Sequence, residues 1–436
     1  MIDVMIEVIL VCMACGFAIC FALSIFWSAR SFESVFAIVI WLFCLDAIFV
    51  SLPILSVGKN IQLFDPIAIV LFFAGLVRFS LAKKLSPMHW LLASLFVIMS
   101  LPLILGFKKY GMTAAPDFRW FFHFMATSFY ASTFEFEKID LKKINNTLTV
   151  AAIVLILLVC FRWAAEAAHL GIASTWSHVG AGRRFRVINA AQTFLIAQVG
   201  ILLLFSHYAS KEKTRFPIVL ASVALVMGFA LMHRTVWACM IIGFILVALF
   251  SKESRANLLR AFGLFCLLST VILVPLALFG FLDTFSESVV SSAAEIAAKH
   301  SSFADRYMGW DSLLGEWINK GDIISYSFGA PFGSGYYRKI AEFGAGYYAE
   351  YTPHNYYVQT LLRAGIIGLM IFIALIYKTM RGVYDSITSQ LSNENVWRIG
   401  LFILVAMQVT FFVAYGARFE QGLFFGLTMA ASKIGS

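Results

Sequence analysis

Long apolar runs separated by short polar breaks dominate this chain from one end to the other. A helix needs about 20 apolar residues to cross a bilayer, and runs of about that length recur along the whole sequence. We therefore expect an all-α, polytopic membrane protein of about 12 transmembrane helices, because backbone polar groups in lipid must bond within their own segment. The predicted spans lie near 4–27, 34–55, 62–81, 87–107, 113–134, 144–167, 187–207, 216–233, 236–250, 258–281, 355–377 and 398–416. A shorter apolar piece at 421–432 is either a last span or a half-inserted helix.

One long polar interruption, residues 282–354, divides this pattern into three parts. We expect transmembrane helices 1 to 10 in 1–281, a large periplasmic loop containing short helices in 282–354, and C-terminal transmembrane helices in 355–436. Two stretches of the loop, SESVVSSAAEIAAKH and SSFADRYMGWDSLLGEWI, have helical periodicity. The glycine- and tyrosine-rich part that follows contains Tyr336 and Arg338. Its aromatic residues suit stacking on sugar rings and equally an interfacial belt.

The composition supports the membrane class. The 436 residues are 61% hydrophobic and only 13% charged, and the mean hydropathy is +0.85. A soluble domain is about a quarter charged, so a soluble protein is excluded. The seven cysteines fall inside apolar runs and indicate neither a disulfide framework nor a zinc site. We expect membrane lipids, and no nucleic acid, among the partners of this basic chain.

Lysines and arginines in the loops form two alternating sets. The first set comprises Arg30, Lys83, Lys84, Lys138, Lys142, Lys143, Lys211, Lys213, Arg215, Lys252, Arg255, Arg260, Lys378 and Arg381. By the positive-inside rule this larger set is cytoplasmic. The second set comprises Lys59, Lys108, Lys109, Arg183, Arg184, Arg186, Arg234 and Arg418, and the long loop adds Arg306. Arginine close to hydrocarbon is costly, and its planar fork suits phosphate oxygens, so this outer set favours an anionic ligand over lipid headgroups alone.

The segment TPHNYYVQTLLRAGIIG places a histidine at the head of an apolar stretch. Pro353 stops any preceding helix, and His354 is predicted to open the next one. The positive helix start and the nearby arginines disfavour an imidazolium, so a neutral His354 can accept a proton from a hydroxyl. Asn355 can orient the ring or a substrate hydroxyl. The alternative is that His354 only caps the helix or anchors it at the interface.

The same segment carries a spaced motif. His354-Asn355, nine residues, Gly365, two residues and Gly368 match the pattern H-[NSQ]-x9-G-x-x-[GTY]. This resembles the bacterial O-antigen ligase and polymerase superfamily, membrane glycosyltransferases of the C type. The resemblance implies two functional arginines, one at an outer turn and one in the large loop. Those positions match Arg234 in MHRTVW and Arg306 in ADRYMGW, although His233 stands where small residues are commoner.

The resemblance also implies a reaction. Such proteins transfer a glycan from undecaprenyl diphosphate to an acceptor hydroxyl at the periplasmic face of the bacterial inner membrane. The expected catalytic residues are His354, Arg234 and Arg306, and the expected substrate-binding residues are Asn355, Arg183, Arg184, Arg186, Tyr336 and Arg338. Because Asp305 and Asp311 are isolated and form no acidic pair, we expect metal-independent transfer without a cofactor. A single displacement inverts the anomeric centre, and the resemblance implies the same outcome.

Three functions compete. A polymerase of O-antigen or exopolysaccharide uses a second lipid-linked glycan as acceptor, and the tyrosine-rich loop is somewhat more similar to polymerases. A ligase of lipopolysaccharide biosynthesis uses the lipid A core. A non-catalytic transporter of lipid-linked glycans predicts internal repeats and broken helices, and no clear repeat is visible. Elsewhere Arg162 and Glu166 are predicted to pair at i, i+4, and Asp46 and Arg363 to be structural.

Overall fold

The structure, a computed structural model, describes residues 20–48, 62, 64–81, 86–168, 186–209, 215–250, 302–339, 348–350, 353–387 and 392–432. The predicted span at 258–281 and the first predicted helix of the loop lie outside these residues. The helices are α1 Cys20–Ser28, α2 Phe32–Ile48, α3 Phe64–Leu81, α4 Pro87–Tyr110, α5 Ala114–Ser132, α6 Leu141–Ala167, α7 Ala190–Ala209, α8 Arg215–Ala230, α9 Arg234–Phe250, α10 Ser302–Lys320, α11 Ile323–Phe328, α12 Tyr356–Ser386, α13 Asn393–Phe411 and α14 Phe419–Ala431.

The all-α expectation is confirmed for the described part of the chain, with one small addition. Strands β1 (Tyr337–Lys339) and β2 (Tyr348–Glu350) pair antiparallel, with Tyr337 opposite Glu350. Tyrosine favours extended backbone, and the ribbon satisfies backbone polar groups of the loop without a helix. Of the two helices predicted in the loop, the second is present as α10, and the short helix α11 was not predicted.

Among the described residues, five helical stretches are long and apolar enough to cross a membrane. They are Phe64–Leu81, Pro87–Ser132, Leu141–Glu166, Ala190–Ala209 and Tyr356–Ser386. The pair α1 and α2, bent by 112° between the two helices, brings the number to six if it is counted as one span. This supports a membrane protein, and the full set of about 12 spans stays a prediction.

Two spans were predicted near 87–107 and 113–134, and the structure has two helices, α4 and α5, in this part of the chain. Helix α4 continues to Tyr110, and a 3₁₀ turn at Gly111–Thr113 leads into α5, which packs back against α4. Gly111 has φ +60°, a conformation that glycine adopts at little cost. The reversal of the chain is therefore made within three residues.

Helix α14 corresponds to the short apolar piece for which two interpretations were open. It has 13 residues and is almost wholly buried. At about 1.5 Å per residue it spans about 20 Å, which is less than the hydrocarbon core. Gly422 and Gly426 let it approach α5, since an added Cβ would lie 2.0 Å from Thr127 Oγ1 and 2.2 Å from the Ser128 carbonyl oxygen, respectively. The piece is a buried helix in the centre of the bundle.

One end of the bundle, called the far end below, gathers the starts of α2, α6 and α13. Glu33 Oε1 accepts a hydrogen bond from the backbone N–H of Asp140 (2.8 Å). Arg398 pairs with Glu137 (2.8 Å). Arg30 and Lys138, two residues of the first basic set, lie in these connections.

The opposite end, called the site end below, gathers the starts of α3, α5, α7, α9, α12 and α14. There Asp65 pairs with Arg119 (2.9 Å) and contacts His123 (2.8 Å). Arg306 of the loop donates to the Ala414 carbonyl oxygen (3.2 Å). The described members of the two basic sets therefore lie at opposite ends of the bundle, as two faces of a membrane require.

Candidate functional site

A cavity of about 570 Å³ opens at the site end. Its volume lies within the range of ligand pockets, about 300–1,000 Å³. Three arginines and two histidines are among its lining residues, and these are Arg186, Arg306, Arg418, His233 and His354. They come from five separate parts of the chain, and the fold brings them together. We call this space the arginine cavity.

His354 lies just before helix α12 and does not begin it. The helix begins at Tyr356, and Asn355 is its N-cap, with Oδ1 accepting hydrogen bonds from the N–H groups of Tyr357 (3.0 Å) and Val358 (3.1 Å). The expected helix start at His354 is therefore wrong by two residues, because asparagine is among the best N-cap residues. The oxygen of Asn355 serves this cap. His354 is exposed and has φ +47°, a conformation that is uncommon outside glycine and that concentrates at functional sites.

The loop helix α10 is held against the site end by two contacts. Arg306 donates to the Ala414 carbonyl oxygen, and its guanidinium carbon lies 5.2 Å from the centroid of the Tyr415 ring. One turn further on, Trp310 Nε1 donates to the carbonyl oxygen of Pro353. These contacts place Arg306 and His354 on the same cavity.

Arg186 and His233 link the segment before α7 to the turn between α8 and α9, each through a bond to the other segment. Arg186 Nη2 donates to the Met232 carbonyl oxygen (3.0 Å), and His233 Nε2 contacts the Ile188 carbonyl oxygen (3.1 Å). Burial and the positive charge of Arg186 lower the pKa of His233 to about 4, against the opposing effect of the bond to Ile188. His233 is therefore neutral at pH 7 and donates a hydrogen bond, which explains a histidine where small residues are commoner.

The predicted ion pair between Arg162 and Glu166 is wrong. Arg162 is buried and donates to the carbonyl oxygens of Val187 and Ala47, two groups that lie beyond or at the end of helices. Carbonyl groups at a helix end lack helical partners. The N–H groups of the buried guanidinium supply these carbonyl groups with hydrogen-bond donors, so Arg162 does not pair with Glu166. Arg162 thereby fixes the segment that carries Arg186.

The other expected arginines are placed as follows. Arg234 is the first residue of α9 and half-buried, and it lies beside the cavity-lining His233 without lining the cavity itself. Arg183 and Arg184 lie outside the described residues. Arg338 lies in β1, and its side chain lies outside the description.

The loop tyrosine expected to bind substrate serves a buried arginine. Arg363, 1% exposed, donates from Nε to the hydroxyl of Tyr336 (3.1 Å) and from its other nitrogens to the carbonyl oxygens of Pro331 (2.9 Å) and Gly335 (3.0 Å). It also pairs with Asp117 (2.6 Å). The expected structural role of Arg363 is to hold the tyrosine-rich loop onto α12 and α5.

The two glycines of the spaced motif have a packing role. Gly365 has φ +66° inside α12, and a Cβ there would lie 2.3 Å from the Ser327 carbonyl group. A Cβ at Gly368 would lie 2.2 Å from the Ala364 side chain. The helix is thus broken at Gly365, and helix α11 of the loop docks into the break. This docking requires glycine at the break.

Three cavity residues were not singled out from sequence. Arg418 precedes α14, and its guanidinium carbon lies 5.6 Å from the centroid of the Trp120 ring. Asp46 and Glu420 interact electrostatically with it. Trp120 and Gln359 line the cavity as well. The available signal was the position of Arg418 in the outer basic set, at the head of an apolar piece.

Comparison with known families finds a similarity that includes residues of this end of the bundle. Residues 218–373 match the family model described as O-antigen ligase. This part of the chain is similar to the O-antigen ligase family. The superfamily assignment drawn from the spaced motif is thereby confirmed. No curated protein matches the chain.

The matching residues cover most of α8, all of α9, the long loop and the first part of α12. They include Arg234, Arg306 and His354, and they exclude Arg186 and Arg418. Members of this family are glycosyltransferase-like ligases and polymerases of O-antigen, which supports an enzymatic role for the chain and lipid-linked glycans as partners.

Proposed function

We propose that this protein transfers a glycan from undecaprenyl diphosphate to an acceptor hydroxyl at the periplasmic face of the bacterial inner membrane. The observation that carries the proposal is one cavity, lined by Arg186, Arg306, Arg418 and His354, at the end of a bundle that is similar to the O-antigen ligase family over residues 218–373. Three cations suit a diphosphate, and an exposed imidazole suits the activation of a hydroxyl.

The arginines stabilise charge as the glycosidic bond breaks. Arg306 and Arg418 bind the diphosphate, Arg186 guides it from the opposite wall, and Arg234 adds positive charge at the edge of the cavity. Arginine stays charged at any working pH and presents two parallel N–H groups to phosphate oxygens. These cations supply the charge that a metal ion supplies elsewhere, so transfer is proposed to be metal-independent.

His354 takes the proton of the acceptor hydroxyl. The hydroxyl oxygen forms a bond to the anomeric carbon, the bond from that carbon to the diphosphate oxygen breaks, and undecaprenyl diphosphate leaves with the electron pair. This is a single displacement, so the configuration of the anomeric carbon inverts. The N-cap at Asn355 holds the backbone of His354 at the mouth of the cavity.

The acceptor decides between two variants of the proposal. We favour a polymerase of O-antigen or exopolysaccharide, supported by the tyrosine-rich loop. The alternative is a ligase that uses the lipid A core, supported by the description of the matching family. Deletion of the gene distinguishes them. Loss of a polymerase leaves core bearing at most one repeat unit, or no secreted polysaccharide, whereas loss of a ligase leaves bare core and polymer on the undecaprenyl carrier.

A transporter of lipid-linked glycans is the candidate from another class. The break in α12 at Gly365 favours it, since transporters use broken helices to bind substrates. In this protein, however, the backbone of Ser327 and Gly329 fills the break. A cavity substrate therefore has no access to the freed backbone groups, and the break supports docking of the loop.

Three substitutions test the catalytic proposal. His354→Ala should lower transfer about 10²- to 10⁴-fold, because it removes the base. Arg306→Ala and Arg234→Ala should each lower it about 10²- to 10³-fold, because they remove charge from the transition state. The measurement is glycan transfer in membranes, normalised to protein by immunoblot. His207→Ala and Arg381→Ala, at the far end, are the matched controls. Full transfer in all three variants contradicts the proposal.

A further inference from the structure

We infer that a second cavity, beside the arginine cavity, binds the sugar rings of the glycan. It measures about 440 Å³, and its lining residues include Asp117, Tyr336 and Tyr337. Trp120 and Gln359 line both cavities, so the two spaces adjoin across these side chains. This inference rests on the proposed function and assigns a subsite for the uncharged part of the substrate. We call this space the tyrosine cavity.

The two cavities differ in charge. Among the described lining residues of the tyrosine cavity, Asp117 is the charged one. Arg363, at 2.6 Å, balances its carboxylate. A second phosphate gains nothing from such a site, whereas a neutral polyhydroxylated chain meets aromatic faces and hydrogen-bonding groups. A glycan whose diphosphate lies in the arginine cavity thus extends from a cationic space into a neutral one.

The aromatic wall is pre-organised by two glycines. Gly333 and Gly335 have φ +85° and φ +71°, and a Cβ at Gly335 would lie 2.8 Å from the Tyr337 ring. The ring of Tyr337 therefore rests on the bare backbone of Gly335, with 49% of the residue exposed. Tyr336 is fixed through its bond from Arg363 (3.1 Å). The C–H faces of pyranose rings stack on aromatic rings of this kind, and fixed rings lose little entropy on binding.

Polar groups for sugar hydroxyls lie at the same cavity. Asp117 Oδ2 accepts hydrogen bonds from Gly333 N–H (2.9 Å) and from Arg363, and its second oxygen keeps acceptor capacity. The side-chain amide of Gln359 lines both cavities. An amide both donates and accepts, so Gln359 can bind a hydroxyl at the junction of the two cavities.

Protection of introduced cysteines tests the inference on the full chain in detergent. Tyr337→Cys reports the tyrosine cavity. Gly416→Cys reports the arginine cavity, and a Cβ there meets Gln359 at an ordinary 3.6 Å. Tyr384→Cys, an exposed tyrosine at the far end, is the control. The rate of labelling by a water-soluble maleimide is measured against the unsubstituted chain, with three probes. The probes are undecaprenyl diphosphate, the lipid-linked glycan extracted from the native membrane, and the same glycan released by mild acid.

At a probe concentration of about ten times Kd, labelling of a covered cysteine slows about tenfold. We expect undecaprenyl diphosphate to protect Gly416→Cys alone and the lipid-linked glycan to protect both reporters. Protection of Tyr337→Cys by the released glycan as well identifies the acceptor chain as the occupant. Protection by the lipid-linked form alone identifies the donor sugar. Tyr384→Cys should be labelled at one rate throughout.

This inference is overturned if both glycan probes leave the labelling of Tyr337→Cys unchanged while Gly416→Cys is protected. The proposed function then still stands. Failure of undecaprenyl diphosphate to protect Gly416→Cys overturns the proposed function itself. Tyr337→Ala adds a kinetic readout. It should raise KM for the glycan about tenfold and leave the Kd for undecaprenyl diphosphate unchanged, which a general loss of folding does not do.

Discussion

At the scale of single residues, the arginines of the site end divide into those that are buried in the fold and those that line the cavity. Arg162 and Arg363 are buried and satisfy carbonyl groups or an acid of the fold. Arg418 lines the cavity over the ring of Trp120. Buried arginines build the walls of this site, and Arg186, Arg306 and Arg418 line its cavity.

Arg418 provides a prediction about a residue outside the matched residues 218–373. Arg418→Ala should raise the Kd for undecaprenyl diphosphate about 10- to 100-fold, because a charged hydrogen bond contributes about 1.5–3 kcal/mol. Arg418→Lys should recover part of the affinity. Binding is measured calorimetrically in detergent, with Arg381→Ala as the control. An unchanged Kd for Arg418→Ala removes this residue from the site.

His233 predicts a pH dependence of stability. Its folded pKa of about 4 lies below the ordinary value of 6.5, so the unfolded chain binds more protons between these values. The contribution of this group to the free energy of unfolding is fully present above pH 6.5 and is lost as the pH falls towards 4. His233→Gln keeps a donor for Ile188 and does not titrate. Between pH 7.5 and 4.5, the free energy of unfolding should fall less in the variant than in the wild type, by about 2–3 kcal/mol. Equal acid sensitivity in thermal melts contradicts the buried, neutral assignment.

At the scale of elements, helix α12 determines the architecture of the site. Its N-cap presents His354, and its break at Gly365 receives the loop that carries the tyrosine cavity. The spaced motif therefore joins a histidine, a cap and a docking notch within one helix. A motif of this kind specifies backbone geometry as much as chemistry.

The apolar pattern predicted the helices well where hydrocarbon alone determines them. Helix α3 was expected at 62–81 and spans Phe64–Leu81, and α9 was expected at 236–250 and spans Arg234–Phe250. The partners of Arg363 could not be predicted, because Asp117 lies far away in sequence and the carbonyl groups come from a loop without periodicity. The same holds for Arg418, which only the fold brings near His354.

The break in α12 gives a prediction with a matched control. Gly365→Ala places a side chain at φ +66° and against the Ser327 backbone, so apparent melting temperature and transfer should both fall. The conformational strain alone costs about 1–3 kcal/mol, because this extended region at positive φ is essentially confined to glycine. Gly315→Ala is the control, since nothing lies within 4 Å of an added Cβ in α10. That change should raise stability by about 0.5–1 kcal/mol. A neutral effect of Gly365→Ala contradicts the docking role of the break.

At the scale of the whole molecule, the two ends of the bundle differ in what their cations do. At the far end, exposed side chains such as Lys138 and Arg381 pair with exposed acids, which adds little to stability. At the site end, Arg186 and Arg306 line a cavity. The larger basic set marks the cytoplasmic side, so the cavity is proposed to face the periplasm. A donor already carried across the membrane meets the site there.

This orientation is tested by labelling on both sides of the membrane. Met112→Cys lies in the exposed turn between α4 and α5 at the site end, and Lys138→Cys lies at the far end. In spheroplasts, a membrane-impermeant maleimide should label Met112→Cys at once and Lys138→Cys only after the membrane is opened. The unsubstituted chain, whose cysteines lie in apolar runs, provides the background. The reverse order places the arginine cavity in the cytoplasm, where a periplasmic transfer is impossible, and the proposed function then fails as a whole.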